Sequence, residues 1–284
     1  MRLEISTVLI QWATGGLAFL WVTTRRREVG LGYGWLLRGV YLVLAAIGVL
    51  AVSGTGWGAA LERVGGTGLI VTAAIASVVS VTRRRAGVRG RQERSAARRA
   101  RVTAMLGTEV GAAPQVPGLE FPPLLDLLAP AFGLIALVGA AVTDGGTYAL
   151  TLARLVAGAA LLGAVTDAML LGHWYLVQPG LGRDPLKELV RWLGFVWPVE
   201  VIAFLIPTGM VQVLSGSIDD GYDGLLGWIW ITAAITTIVL AVVTRLALRE
   251  RSYSAVMAAT GLLYLAILTA FGTDLVARAV LTPS

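Results

Sequence analysis

The chain contains eight predominantly apolar stretches, each near the roughly 20 residues that a helix needs to cross the hydrocarbon core of a bilayer. They run from Glu4 to Thr24, Gly34 to Ser53, Val64 to Thr82, Leu124 to Thr143, Thr147 to Val177, Leu186 to Pro207, Leu225 to Leu246 and Tyr253 to Val280. Between them lie turn-forming strings such as Thr143-Asp144-Gly145-Gly146 and Pro179-Gly180-Leu181-Gly182. The runs are too long for strands and do not alternate. Charged residues make up 14% of the 284, against roughly 25% in a soluble domain. So few charges cannot coat a soluble globule of this size, and 56% hydrophobic residues exclude general disorder. The expected fold is all-α: a polytopic integral membrane protein of about eight transmembrane helices.

Arginine placement orients that expectation. Arg25, Arg26 and Arg27 follow the first apolar run, whereas a signal peptide carries its positive charge in front. The first run therefore reads as a retained helix with its N-terminus outside. Cytoplasmic connections collect basic residues. With both termini outside, 19 of the 23 basic residues fall on the cytoplasmic side, leaving Arg2, Arg63, Arg154 and Arg278 outside. This accounts for the net charge of +6 without a nucleic-acid partner. Trp21, Trp35, Trp174 and Trp192 are expected near inner helix ends, and Trp57, Trp228 and Trp230 near outer ends, as an interfacial belt. Trp12 and Trp197 lie deeper. Residue usage rich in Ala, Arg, Gly and Val suits a GC-rich genome and a bacterial cytoplasmic membrane.

The organisation expected is helices 1–3 over 1–82, a basic cytoplasmic loop and Pro/Gly linker over 83–123, and helices 4–8 over 124–284. The loop carries nine arginines between Arg83 and Arg101. Arg84, Arg91, Arg94, Arg98 and Arg101 would share one helical face, suited to anionic lipid headgroups. Gly65-Gly66-Thr67-Gly68 is expected as a loop and tight-packing signal at the outer entry to helix 3. Glycines such as Gly133, Gly139, Gly158 and Gly163 allow close helix crossings.

Ionisable groups at bilayer depth cost about 2.5–3.5 kcal/mol each on insertion scales and are functional candidates. Arg154 and Glu200 each lie seven residues inside the outer ends of helices 5 and 6, about 10 Å at 1.5 Å per residue. An ion pair between them is expected. Gln11 sits at similar depth, and so does Asp274, with Arg278 one turn away as its partner. Asp167 lies nearer the cytoplasm and is expected to pair with Arg191 or Arg38. Pro198 removes a backbone hydrogen bond beside Glu200 and frees the carbonyl of Gly194; interrupted helices beside buried carboxylates occur at transport sites, and equally in kinked structural helices.

His173 and Trp174 stand in Gly172-His173-Trp174-Tyr175-Leu176-Val177-Gln178-Pro179. That string suits a quinone or cofactor contact shared with a partner subunit, or an interfacial anchor. Without cysteine, thiolate catalysis, Cys-ligated zinc and iron–sulfur clusters are excluded, and one histidine makes no metal site alone. Neither a Walker loop nor an HExxH or GxSxG motif occurs. Two functions follow: a small-solute or proton-coupled transporter using Arg154, Glu200, Asp167, His173, Gln11 and Asp274, or a membrane subunit of a redox or assembly complex. An enzyme acting on a lipid-linked substrate would need a carboxylate pair near Asp167 that the sequence does not provide.

Overall fold

A computed structural model describes residues 3–83, 96, 97, 100, 121–144, 146–177, 181–206, 209–250 and 252–281. Among the described residues every regular element is helical. The long helices are α1 (Ile5–Thr24), α2 (Leu31–Ala51), α3 (Trp57–Thr82), α4 (Leu128–Thr143), α5 (Tyr148–Val177), α6 (Asp184–Leu205), α7 (Leu225–Ala247) and α8 (Tyr253–Leu281). A 3-10 turn, Pro123–Leu127, leads into α4, and one helical turn, Met210–Leu214, lies between α6 and α7. The arginine face expected over 84–101 and the linker over 111–120 lie almost wholly outside the described residues, as do Gln178, Pro179 and Pro207.

Seven of these helices are long and apolar enough to cross a membrane, α4 when the 3-10 turn before it is included (Pro123–Thr143). The exception is α6, whose Asp184, Lys187, Glu188, Arg191 and Glu200 dilute an otherwise apolar sequence. The surface suits a lipid solvent: Leu50 is 86% exposed, Trp57 74% and Leu268 69%. In water, so many exposed large apolar side chains would form an adhesive patch. Trp230 departs from the expected belt. It is 1% exposed and packs in a core cluster with Phe204, Met210 and Leu155.

Helix α3 begins at Trp57, seven residues before the expected Val64. The Gly65–Gly68 string is thus inside the helix, and its loop reading is wrong. Its packing reading fits. A Cβ on Gly65 would lie 2.3 Å from the Ala136 nitrogen, and one on Gly139 would lie 2.4 Å from the Glu62 nitrogen. These glycines let the α3 and α4 backbones touch. At the neighbouring end of α2, Arg63 Nη2 donates to the carbonyls of Val52 (2.9 Å) and Gly54 (2.7 Å). A helix end leaves carbonyls without intrahelical partners, and Arg63 supplies the missing donors.

The centre of the fold is α5. In its most apolar stretch 83% of residues are buried inside the protein, against 33% for α2, α3, α7 and α8. It packs on α1, α4, α6 and α8. Its approach to α1 is backbone on backbone, since a Cβ on Gly163 would meet the Gly15 carbonyl carbon at 2.2 Å. Polar side chains on the buried face of α5, or on the helix faces packed against it, are therefore withdrawn from the surroundings.

Candidate intramembrane site

Four polar side chains from three helices meet over Gly158 of α5. A Cβ there would lie 2.1 Å from Gln11 Nε2 of α1, 2.6 Å from Asp274 Oδ1 of α8 and 3.3 Å from Glu200 Oε1 of α6. The glycine leaves the space in which these groups converge. Arg278 Nε donates to Asp274 Oδ1 at 3.1 Å, and Arg278 Nη2 donates to Gln11 Oε1. Gln11 Nε2 donates to Asp274 Oδ1 at 3.5 Å. Asp274, Arg278, Gln11 and Glu200 are all 0% exposed. The expected Asp274–Arg278 pair is present.

Glu200 differs from its neighbours. Neither of its carboxyl oxygens accepts a hydrogen bond. The cluster thus holds two carboxyl groups and one guanidinium. Full ionisation would leave one negative charge uncompensated in a low-dielectric interior, where a bare carboxylate is very costly. Binding a proton or a small cation removes that imbalance.

The expected Arg154–Glu200 ion pair does not form. Arg154 Nε donates instead to the Ala203 carbonyl at 2.8 Å, and its guanidinium lies 5.6 Å from the Phe204 ring centroid. Ala203 belongs to the last turn of α6, where carbonyls lack intrahelical partners and the dipole favours a cation. Glu200, nearly a turn earlier, faces Asp274. Arg154 is therefore a helix-end donor above the cluster.

Asp167 pairs with neither arginine named for it. Its Oδ1 accepts the Tyr41 hydroxyl of α2, and its backbone carbonyl accepts the Tyr33 hydroxyl at 3.1 Å. Its other carboxyl oxygen is buried without a partner. Arg38 is held by Asp126 through a two-pronged contact, Nε to Oδ1 and Nη2 to Oδ2, both 2.9 Å, and Thr24 adds a third hydrogen bond at 3.0 Å. The planar guanidinium matches a carboxylate fork better than any single contact Asp167 offers. Arg191 is exposed beside Arg245, away from Asp167.

His173 stands apart from both groups. It is exposed on α5, with its ring edge-on to Tyr264 of α8 at a centroid distance of 6.5 Å. Trp174 turns the other way, against Tyr33 of α2. Trp12 and Trp197 are interhelical, as their depth implies. The Trp12 indole donates to Thr166 Oγ1 and the Trp197 indole to the Ala234 carbonyl, each at 2.9 Å.

Sequence reasoning missed three members of the polar interior. Glu62 is buried and accepts from Thr7 Oγ1 at 3.1 Å. It borders a cavity of about 10 Å³ with Glu4, Thr7, Asp144 and Thr151, room for about one water. An expected start at Val64 leaves Glu62 outside helix 3. Yet the helical spacing Gly58, Glu62, Gly65, Leu69 places it on the buried face, a signal legible once the helix is extended. Asp126, two residues into the expected helix 4, was not singled out among the ionisable groups. Tyr41 gave no signal, since a tyrosine in an apolar helix is unremarkable until its hydroxyl has a partner. Among the described residues, no three acidic or histidine side chains are grouped to hold a metal ion.

The chain matches no known protein-family model, no curated protein and no solved structure.

Proposed function

We propose that the chain is a proton-coupled or small-solute transporter of a bacterial cytoplasmic membrane, with eight spans, both termini outside, and the Glu200–Asp274 pair as its proton-carrying site. One observation carries this reading: two carboxyl groups and a single guanidinium converge over Gly158, fully buried, with the Glu200 oxygens unbonded. One proton shared between the carboxyl groups balances the charge, and its loss makes the site a cation trap. Two further polar stations flank it along α5. Glu62 and Thr7 lie on the outer side near Thr151, and Asp167 with Tyr41 on the inner side. At 1.5 Å per residue they are about 10 Å and about 14 Å from Gly158 along the helix. Those distances exceed a single proton hop, so transport requires water to enter between stations in turn. Glu200 is sealed from both sides here, as an occluded state requires.

The test is proton uptake in proteoliposomes under an imposed pH gradient, read with an entrapped pH-sensitive dye. Glu200→Gln is expected to lower the initial rate at least tenfold, with the variant still folded. Uptake at the parental rate would remove the mechanism. His173 belongs to none of the three stations. Its exposed ring beside Tyr264 supports the alternative of a quinone or partner-subunit contact, which quinone absorbance in the purified protein tests.

A further inference from the structure

The arginine-rich end of α6 and α7 carries a second feature, independent of the buried carboxyl groups. Lys187 and Arg191 of α6, Arg245 of α7 and Arg249 just beyond it line a cavity of about 160 Å³ with Val190 and Leu248. No acidic side chain lines it. The four cationic groups make no ion pair or side-chain hydrogen bond with another described residue. Four like charges around one cavity repel one another, and no ion pair within the described fold relieves that repulsion. Helix stability does not explain them all. Arg245 suits the negative C-terminal end of α7, but Lys187 follows the start of α6 by three residues, where the dipole disfavours a cation. Lys187 is also the single lysine of the chain.

This basic cavity shares part of its wall with a more apolar one. A groove of about 210 Å³ shares Val190, Arg191 and Arg245 with it and continues past Gly194 and Phe195 of α6 and Ile238 and Val242 of α7. Phe195 and Val242 are exposed to the surroundings. A Cβ on Gly194 would meet nothing within 4 Å, so the groove floor is open at that point. Cationic groups at one end and an open apolar channel running up the helices match the two halves of an anionic phospholipid.

We propose that this α6–α7 surface binds one anionic phospholipid, with its phosphate among Lys187, Arg191, Arg245 and Arg249 and an acyl chain in the groove over Gly194. Free phosphate would use the first half of the site alone, and a zwitterionic lipid would leave the cationic excess uncompensated. The site uses none of the arginines of 83–101.

Native mass spectrometry of the protein extracted from vesicles of equimolar phosphatidylglycerol and phosphatidylcholine tests this. Phosphatidylglycerol is expected to be retained in preference. The double variant Arg191→Gln/Arg245→Gln should reduce that preference about 30-fold, from roughly fivefold per basic residue near an anionic lipid. Gly194→Leu fills the groove without a clash and should lower retention with all four cations in place. Soluble glycerophosphate should fail to displace the lipid. The proposal is overturned if the double variant keeps the parental preference, if Gly194→Leu retains the lipid fully, or if glycerophosphate competes as well as the lipid does. Should the double variant fail to fold, Arg249→Gln alone, outside any helix, is expected to show a fall of about fivefold; no fall would overturn the proposal equally.

Discussion

Glycine decides more of this structure than any charged residue does, through the space it leaves. At Gly158 the absent side chain makes room for Gln11, Asp274 and Glu200. Gly158→Ala would push a methyl group against groups held by buried hydrogen bonds, and overpacking of this kind costs about 1–3 kcal/mol. Gly261, on α8, has nothing within 4 Å of its Cβ position. Gly261→Ala is expected to be neutral or stabilising, by up to about 1 kcal/mol, because alanine loses less backbone entropy in a helix. Thermal unfolding in detergent should move the two variants in opposite directions. Candidate residues such as Glu200, Asp274 and Gln11 were legible from depth alone, since a charge or amide seven residues inside an apolar run stands out. Their partners were not. Sequence spacing ranked Arg154 nearest to Glu200, but a helix rotation of under one turn sends Glu200 to Asp274 and leaves Arg154 the Ala203 carbonyl.

Among the elements, α6 bears the most conflicting demands. Its first turns carry charge, Glu188 binding Arg25 and Arg26 of the α1–α2 connection, while its far half buries Glu200 and Phe204. This explains why it falls short in apolarity while packing as a long helix between α5 and α7. The connection that follows it ends in an acid-capped turn. Asp220 accepts backbone N–H groups from Tyr222 (3.0 Å), Gly224 (2.8 Å) and Leu226 (2.8 Å) at the start of α7. Lost hydration works against its charge. The N–H groups of Gly224, Tyr222, Leu226 and Gly227 together outweigh it and hold its carboxyl below the usual carboxylate range. The folded value therefore lies below the unfolded one. The cap's contribution is complete above the usual carboxylate range and is lost as pH falls through the lower folded value. Hydrogen exchange at the Gly224 and Leu226 amides should be faster in Asp220→Asn than in the parent at neutral pH. The difference should vanish once the parent is titrated below its folded value.

At the scale of the whole molecule, α5 is an axis walled by α1, α4, α6 and α8, so that polar groups from α1, α2, α6 and α8 can meet it away from the surface. The proposed topology is directly testable because the chain has no cysteine. Asp184→Cys, Asp219→Cys and Glu250→Cys place single thiols at exposed positions at the first residue of α6, after α6 and after α7. If α6 spans the membrane with both termini outside, a membrane-impermeant maleimide added to intact cells should label the Asp219 position alone. Labelling at Glu250 in place of Asp219 would mean that α6 does not cross. The arrangement of charges leads to the same expectation, with α6 carrying its cations at one end and its capped acidic connection at the other.

The sequence by itself determined that the chain is helical and membrane-suited, and where most helices begin and end. Hydropathy, turn chemistry and arginine excess are properties of segments, readable one stretch at a time. It also singled out the deep polar residues, since the cost of burying them is local. Tertiary structure alone decided that Arg38 belongs to Asp126, Asp167 to Tyr41, Arg154 to a helix end and Glu200 to Asp274. Each pairing depends on how two or three helices are rotated and how closely they approach. That approach is set by which glycines face one another, a relation between residues as far apart as Gly15 and Gly163 that no single segment contains.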